Sequence, residues 1–271
     1  MEALSTTQTS QLENSDSQTK TLLQTSIAAG HLGANAIEYT KEMSDEEEQQ
    51  QFNWASKKIA LLIETLQQLP QRERVADVGC RTGGQAAYYK AQAKIAEMHG
   101  FDISEAPLEV AKRAGIVTHV WISGESACPV EDNFFDAIIA GDIIEHLMDT
   151  DIFLQELQRV LRPGGYLLIT TPNMAWWWNR IRLLFGKIPA NVASVSFRVS
   201  LDPAVDLKHL RVSVNSEWLN LFAQHHLECV SIRGYNYPKL LRWPFNWFDH
   251  LLNRYPSLAH SNLFLLRKPV A

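Results

Sequence analysis

Residues 75–84 read VADVGCRTGG. The stretch has the layout of a short β-strand, beginning at Arg74, that runs into a glycine turn, with a helix expected over 84–94. Glycines at 79 and 83 allow a tight turn and let a nucleotide-like ligand approach bare backbone, and the helix that follows presents free N–H groups to the same place. The order D-x-G-x-x-x-G departs from the G-x-G-x-x-G of dinucleotide sites, because Asp77 stands two residues ahead of the first glycine. A carboxylate there suits a ligand carrying a positive amino group. Arg81 sits where a further glycine would be expected; it is tolerated if its φ is negative and its side chain points outward.

Outward from this turn, strand and helix patterns alternate. Strands are expected over 95–102, 116–122, 135–141 and 165–172, with helices over 106–115 and 151–163 between them and two further strands over 227–235 and 262–268. Helices of about ten residues between strands imply right-handed crossovers and a mostly parallel sheet covered on both faces. The expected fold is α/β, doubly wound and Rossmann-like, seven-stranded with an antiparallel last strand. Ligands in such sheets bind beyond the carboxyl ends of the strands. The second strand ends on Asp102, nineteen residues after Gly83, where a carboxylate can accept both hydroxyls of a ribose; Asp102 could instead cap the helix that starts near Pro107. An adenosyl ligand is indicated, and Asp77 favours S-adenosylmethionine over a nicotinamide dinucleotide.

Composition narrows the rest. The chain of 271 residues has 46% hydrophobic residues and a net charge of −5, which suits one sizeable domain and supplies no basic field for nucleic acid. Three cysteines are too few and too scattered for a disulfide framework or zinc site. No signal-peptide pattern opens the chain, and no stretch reaches the roughly 18 apolar residues of a membrane span; a cytoplasmic protein, soluble or peripheral to a membrane, is expected. Residues 1–43, rich in Ser, Thr and Gln in their first part, are expected to form a flexible tail ahead of a domain over 44–271. Ser44 and Glu47 form a capping box. From Phe52, apolar residues at 59, 62, 63, 66 and 69 mark a helix that ends at Pro70 and is expected to pack without carrying chemistry.

The segments VADVGCRTGG, GFDIS, FDAIIAGDIIEHLMD and LQRVLRPGGYLLITTPN together resemble the successive motifs of class I S-adenosylmethionine-dependent methyltransferases, in the branch of the ubiquinone-biosynthesis O-methyltransferases. The resemblance implies that Asp77, Gly79, Cys80 and Gly83 hold the methionine part of the cofactor, with Asp102 on the ribose. It places the adenine contact after the third strand, where Gly124 replaces the usual acid and Glu125 stands beside it. Asp142 would line the methionine end of the pocket.

Methyl transfer from a sulfonium needs an aligned nucleophile more than fixed catalytic groups. A hydroxyl nucleophile benefits from a base near neutrality. His146, after the fourth strand, and His209, in the segment where the resemblance places acceptor-binding residues, are the candidates; each could instead be structural. Asp142, Glu145 and His146 form a D-x-x-E-H cluster, and similar clusters in the ubiquinone-pathway relatives are associated with a divalent cation. A turn entering a helix would give the same residues, and no metal is assigned.

Two aromatic and basic insertions, 174–208 and 236–260, flank the acceptor side. Asn173 is expected to cap a helix in which Trp177, Ile181 and Leu184 share a face and Gly186 is the stop. Trp243, Phe245, Trp247 and Phe248, with Lys239 and Arg242, repeat the pattern in the second insertion. These suit a lid over a small-molecule or lipid-linked acceptor, or contact with a membrane surface through 174–187 and 236–257. The competing reading is a catalytically inactive protein of this fold that binds a membrane or partner, with Arg81 and Gly124 as the departures that favour it; a nicotinamide-dependent enzyme is a third option.

Overall fold

The computed structural model describes residues 50, 53, 55–192, 209–237 and 245–270. The expected tail, the Ser44 capping box, the end of the first insertion, and Lys239, Arg242 and Trp243 lie outside these residues.

The central strands are apolar on both faces because helices cover both. In β1 (Arg74–Val78) and β4 (Phe135–Gly141) successive side chains point to opposite sides. Ala76, Val78, Ile138 and Ala140 join one core with Phe153, Leu157 and Phe264. Val75, Ala137 and Ile139 join the other with Leu62, Leu66 and Met98. Near-continuous apolar runs of this kind are what a parallel sheet buried on both sides requires.

In chain order, α1 (Ser56–Gln68), β1, α2 (Gly84–Ala93), β2 (Glu97–Asp102), α3 (Glu105–Arg113), β3 (Val117–Val120) and β4 lead to a single 3-10 turn at Ile144–His146. Then come α4 (Thr150–Val160), β5 (Leu161–Pro172), α5 (Trp177–Leu184), α6 (Asn215–Gln224), β6 (Glu228–Tyr235), α7 (Phe245–Leu252) and β7 (Ser261–Arg267). The sheet order is β3-β2-β1-β4-β5-β7-β6. Strands β1 to β5 pair in parallel, and β7 is antiparallel to both β5 and β6. Chain order reverses between β1 and β4, so the loops after these strands diverge and open a crevice.

Three expectations need correction. The helix ending before Pro70 does bury Ile59, Leu62, Leu66 and Leu69, yet α1 also carries Lys58, which reaches Asp142 at the end of β4. The fifth strand starts at Leu161 rather than 165, because Arg162 pairs with Asp136 at 2.6 Å and Gly165 has no Cβ to strike the Asp136 carbonyl. Asn173 does not cap a helix. Its Oδ1 accepts from the Ala175 N–H, an Asx turn, while its amide donates to the carbonyls of Pro256 and Ala259 in the second insertion. The helix begins only at Trp177.

Candidate active site

The turn after β1 is stitched to the end of β2. The N–H groups of Gly79 and Cys80 donate to the Phe101 carbonyl at 2.7 and 3.0 Å. Gly79 has φ +77°, and a Cβ there would fall 2.4 Å from Ile143 Cδ1, on the loop after β4. Gly83 has φ +78°, and its Cβ would collide with Ala111 of α3 at 2.7 Å. Both glycines are therefore fixed by left-handed backbone and by close approach. Cys80 contributes backbone only, since its thiol is packed beneath Gly100.

Arg81 corrects the sequence expectation. Its φ is +51°, in the left-handed region, not negative. The conformation is held because its N–H donates to Asp102 Oδ2 at 3.0 Å. Asp102 Oδ1 accepts from the Ser104 N–H, so the carboxylate that would meet a ribose is oriented by the turn on one side and the start of α3 on the other. Burial raises the Asp102 carboxyl, and these backbone donors oppose the rise.

Four carboxylates gather at the strand ends. Burial pushes Asp77 up to about 7; Lys58 opposes this and Asp102 adds to it. Asp142 has φ +57° and turns its carboxylate toward Lys58 (2.8 Å), Thr170 (2.8 Å), Tyr237 (2.8 Å) and Tyr235 (3.3 Å). Burial works to raise it, but Lys58 and the hydroxyls prevail and hold it at about 2. Glu145, fully buried, has no hydrogen-bond partner for either carboxylate oxygen among the described residues. Burial and then the neighbouring Asp142 raise it well above the usual range. Lys58, whose role the apolar spacing of α1 concealed, is the cation placed among these groups.

The D-x-x-E-H residues consequently do not act as one cluster. Asp142 faces the lysine and hydroxyls, whereas a Glu145 oxygen and a ring nitrogen each of His146 and His209 lie within 4.8 Å of one another. The two rings are 4.9 Å apart. The tie is partly backbone, since the Glu145 carbonyl accepts from the N–H groups of Leu210 and Arg211. The sequence candidates His146 and His209, sixty-three residues apart, thus converge. Glu125 lies in a turn, donating its N–H to the Ile122 carbonyl. Gly124, with φ +82° and a Cβ position 2.9 Å from the Asp149 carbonyl, has no room for the acid usual there.

The two aromatic insertions are clamped together. Trp176 and Trp177 both donate their indole N–H to Asp249 Oδ1, at 2.7 and 2.9 Å, and Asn236 donates to Oδ2. Trp178 packs on Phe245. Trp176 is buried, while Leu184 is 80% exposed, Phe185 75% and Trp247 59%.

The residues present fit S-adenosylmethionine. Asp77, Asp102 and Asp142 share one lysine, which leaves negative potential for a ligand with ammonium and sulfonium charges; Asp77 is a buried acid with no ion pair among the described residues, and a Cβ at Gly84 would meet open space at the N-terminus of α2. Known proteins agree. A fatty-acid O-methyltransferase of Mycolicibacterium smegmatis is 33% identical over 36% of this chain and 36% of its own length. A phthiotriol/phenolphthiotriol dimycocerosates methyltransferase of Mycobacterium ulcerans is 31% identical over 49% and 48%. A ubiquinone biosynthesis O-methyltransferase of Mesorhizobium japonicum is 33% identical over 37% and 41%. The chain spans less than half the length of each of these relatives. Among solved structures, a SAM-dependent methyltransferase of Thermotoga maritima superposes with TM-score 0.55 at 16% identity, covering 82% of this chain and 95% of that one. The [4+2]-cyclase SpnF does so with TM-score 0.53 at 18%, covering 80% and 82%; this likeness concerns the fold alone. Residues 76–169 match the methyltransferase domain family.

Proposed function

We propose that the protein is an S-adenosylmethionine-dependent methyltransferase acting on an oxygen of an apolar, lipid-like acceptor. The observation that carries this reading is the set of carboxylates at the ends of β1, β2 and β4, Asp77 and Asp102 buried and Asp142 partly so, short of positive charge by about what the cofactor brings. When bound, the cofactor supplies a methyl group on a positively charged sulfur. Asp77 faces its ammonium group, Asp102 takes the ribose hydroxyls, and the turn from Gly79 to Gly83, with Cys80 between, gives it backbone to lie against. Asp142 with Lys58 closes the methionine end, and Glu125 stands by the adenine. His146 and His209 are the groups able to take a proton from the acceptor. Alignment is the main catalytic contribution of such a site.

The acceptor class rests on the clamped insertions and on the names of the relatives, which act on fatty acid, lipid and quinone-pathway compounds. Exposed Leu184, Phe185 and Trp247 are accompanied by exposed Arg180, Lys187 and Arg254, while the acid of these helices, Asp249, is buried. That combination suits the surface of an anionic bilayer. No helix among the described residues is long and apolar enough to cross a membrane, which fits peripheral contact from the cytoplasmic side.

Calorimetric titration with S-adenosylmethionine is the first test, followed by S-adenosylhomocysteine release with a long-chain fatty acid and a prenylated catechol as probes. Binding with turnover of either probe is expected. Absence of cofactor binding would overturn the enzyme reading in favour of a binding protein built on the same fold.

A further inference from the structure

His146 and His209 both lie beside Glu145, and the partners of His209 decide which of its ring nitrogens carries the hydrogen. The Nδ1 of His209 lies 2.8 Å from the Asn191 backbone carbonyl. A carbonyl only accepts, so Nδ1 carries the hydrogen, and in the neutral ring the lone pair is on Nε2. Asn191 is itself held. It has φ +63°, a left-handed conformation that asparagine tolerates. Its side-chain amide donates to His260 Nε2 at 2.6 Å, and His260 Nδ1 in turn lies 2.8 Å from Ser261 Oγ. With Nε2 accepting, Nδ1 of His260 must be the donor to Ser261. Burial lowers His260 to about 4, so it stays neutral and keeps these two roles. His260 is packed edge-on against Trp176 and Tyr237, which ties the chain Ser261–His260–Asn191–His209 to the first insertion.

We propose that Asn191 and His260 are positioning residues that fix His209 as its Nδ1–H tautomer, so that Nε2 is the atom of this ring able to take the acceptor's proton. The inference rests on the methyltransferase reading for its chemistry, though not for its structure. The step balances as follows: the acceptor oxygen forms a bond to the methyl carbon as the carbon–sulfur bond breaks, the sulfur leaves as a neutral thioether, and the hydroxyl proton passes to Nε2, giving an imidazolium. The titratable groups around this unit are Glu145 and His146 beside His209, and Asp142 and Asp249 near His260. Neither Asn191 nor His260 belongs to a sequence motif, and only the fold brings them to His209.

The test is the ring nitrogen spectrum of the full-length protein labelled with 15N-histidine, recorded without cofactor well above the ordinary histidine pKa of about 6.5, with the His209 signals assigned by their loss in H209Q. The wild-type ring is expected to be protonated on Nδ1; protonation on Nε2 overturns the proposal. In H260L the link to Asn191 is gone, and the tautomer ratio of His209 is expected to shift by about fivefold or more, the equivalent of one ordinary hydrogen bond. H260Q presents an acceptor to Asn191 and a donor to Ser261, and is expected to restore the wild-type ratio. An unchanged ratio in folded H260L, or no rescue in H260Q, overturns the positioning role. Calorimetry with S-adenosylmethionine on the same samples separates the two readings, since a wild-type protein that fails to bind it removes the methyltransferase reading and leaves the tautomer result standing.

Discussion

The loops after β1, β2 and β4 and the two insertions after β5 and before β7 face the same crevice but are made from opposite materials. The first region consists of glycine backbone and buried or half-buried carboxylates: Gly79, Gly83, Asp77, Asp102 and Asp142, balanced by Lys58. The second consists of indole and aliphatic surface organised around one buried acid, Asp249, which ties Trp176, Trp177 and Asn236 together. Residues 76–169 hold the first region except Lys58 and are also what matches the methyltransferase domain. A turn built on left-handed glycines and close backbone approach tolerates little change, whereas surface insertions vary more freely. The comparison can be broken if a change in one region disturbs the function of the other.

The largest effect is expected from Asp102→Ala. Its carboxylate is oriented by two backbone donors and would lose both ribose contacts at once. Hydrogen bonds to a charged group contribute about 1.5–3 kcal/mol each, so affinity for S-adenosylmethionine should fall about 100-fold or more by calorimetry. Normal affinity in this variant would remove the ribose assignment.

Asp77→Asn should act in two opposite directions. In the folded protein Asp77 titrates at about 7, against about 3.9 for an unperturbed aspartate. The folded state therefore holds more protons between these values, and its contribution to stability is present below about 4 and lost as pH rises to about 7. Asparagine removes this loss, so the melting temperature of the cofactor-free protein at neutral pH should rise. Cofactor affinity should fall by about 10- to 100-fold, because the ammonium group loses its counter-charge. In the wild type, binding should strengthen with pH up to about 7 and release a proton, which calorimetry in buffers of different ionisation enthalpy detects.

The double change Leu184→Glu with Phe185→Glu addresses the other region. Each side chain is largely exposed, so the fold should be unaffected. Burying one such side chain contributes about 1.5–3 kcal/mol, so binding to vesicles of anionic lipid should weaken at least about tenfold, with S-adenosylmethionine affinity unchanged. Equal vesicle binding by the variant would show that this face does not meet lipid.

The two regions also differed in how much could be read beforehand. The strand ends were legible because their chemistry is local: a glycine turn, an acid one strand later and apolar runs all follow from short-range rules. Lys58 was missed because an apolar stripe on α1 implies packing alone, while the partner that makes the lysine functional, Asp142, lies 84 residues on. The D-x-x-E-H run suggested one cluster, but the left-handed turn at Asp142 separates its carboxylate from Glu145 and His146. Asn173 was expected to cap a helix because capping is a local rule; its amide instead bonds carbonyls more than eighty residues away. In the two insertions almost every decisive contact is of this long-range kind, and periodicity carries no record of it.

The smallest effect belongs to Arg81→Gly, which lies at the centre of the legible region. Arg81 adopts φ +51°, a conformation that costs a residue with a Cβ roughly 1–2 kcal/mol. Glycine relieves that cost, although its greater freedom in the unfolded chain returns part of it. The N–H that orients Asp102 belongs to the backbone and survives the change. Thermal unfolding should therefore shift upward by a few degrees at most, at about 2–4 °C per kcal/mol for a domain of this size, and S-adenosylmethionine affinity should stay within about tenfold. A larger gain in affinity would mean that the arginine side chain obstructs the cofactor. A larger loss would mean that it contacts the cofactor directly, and that the turn recognises its ligand through a side chain as well as through bare backbone.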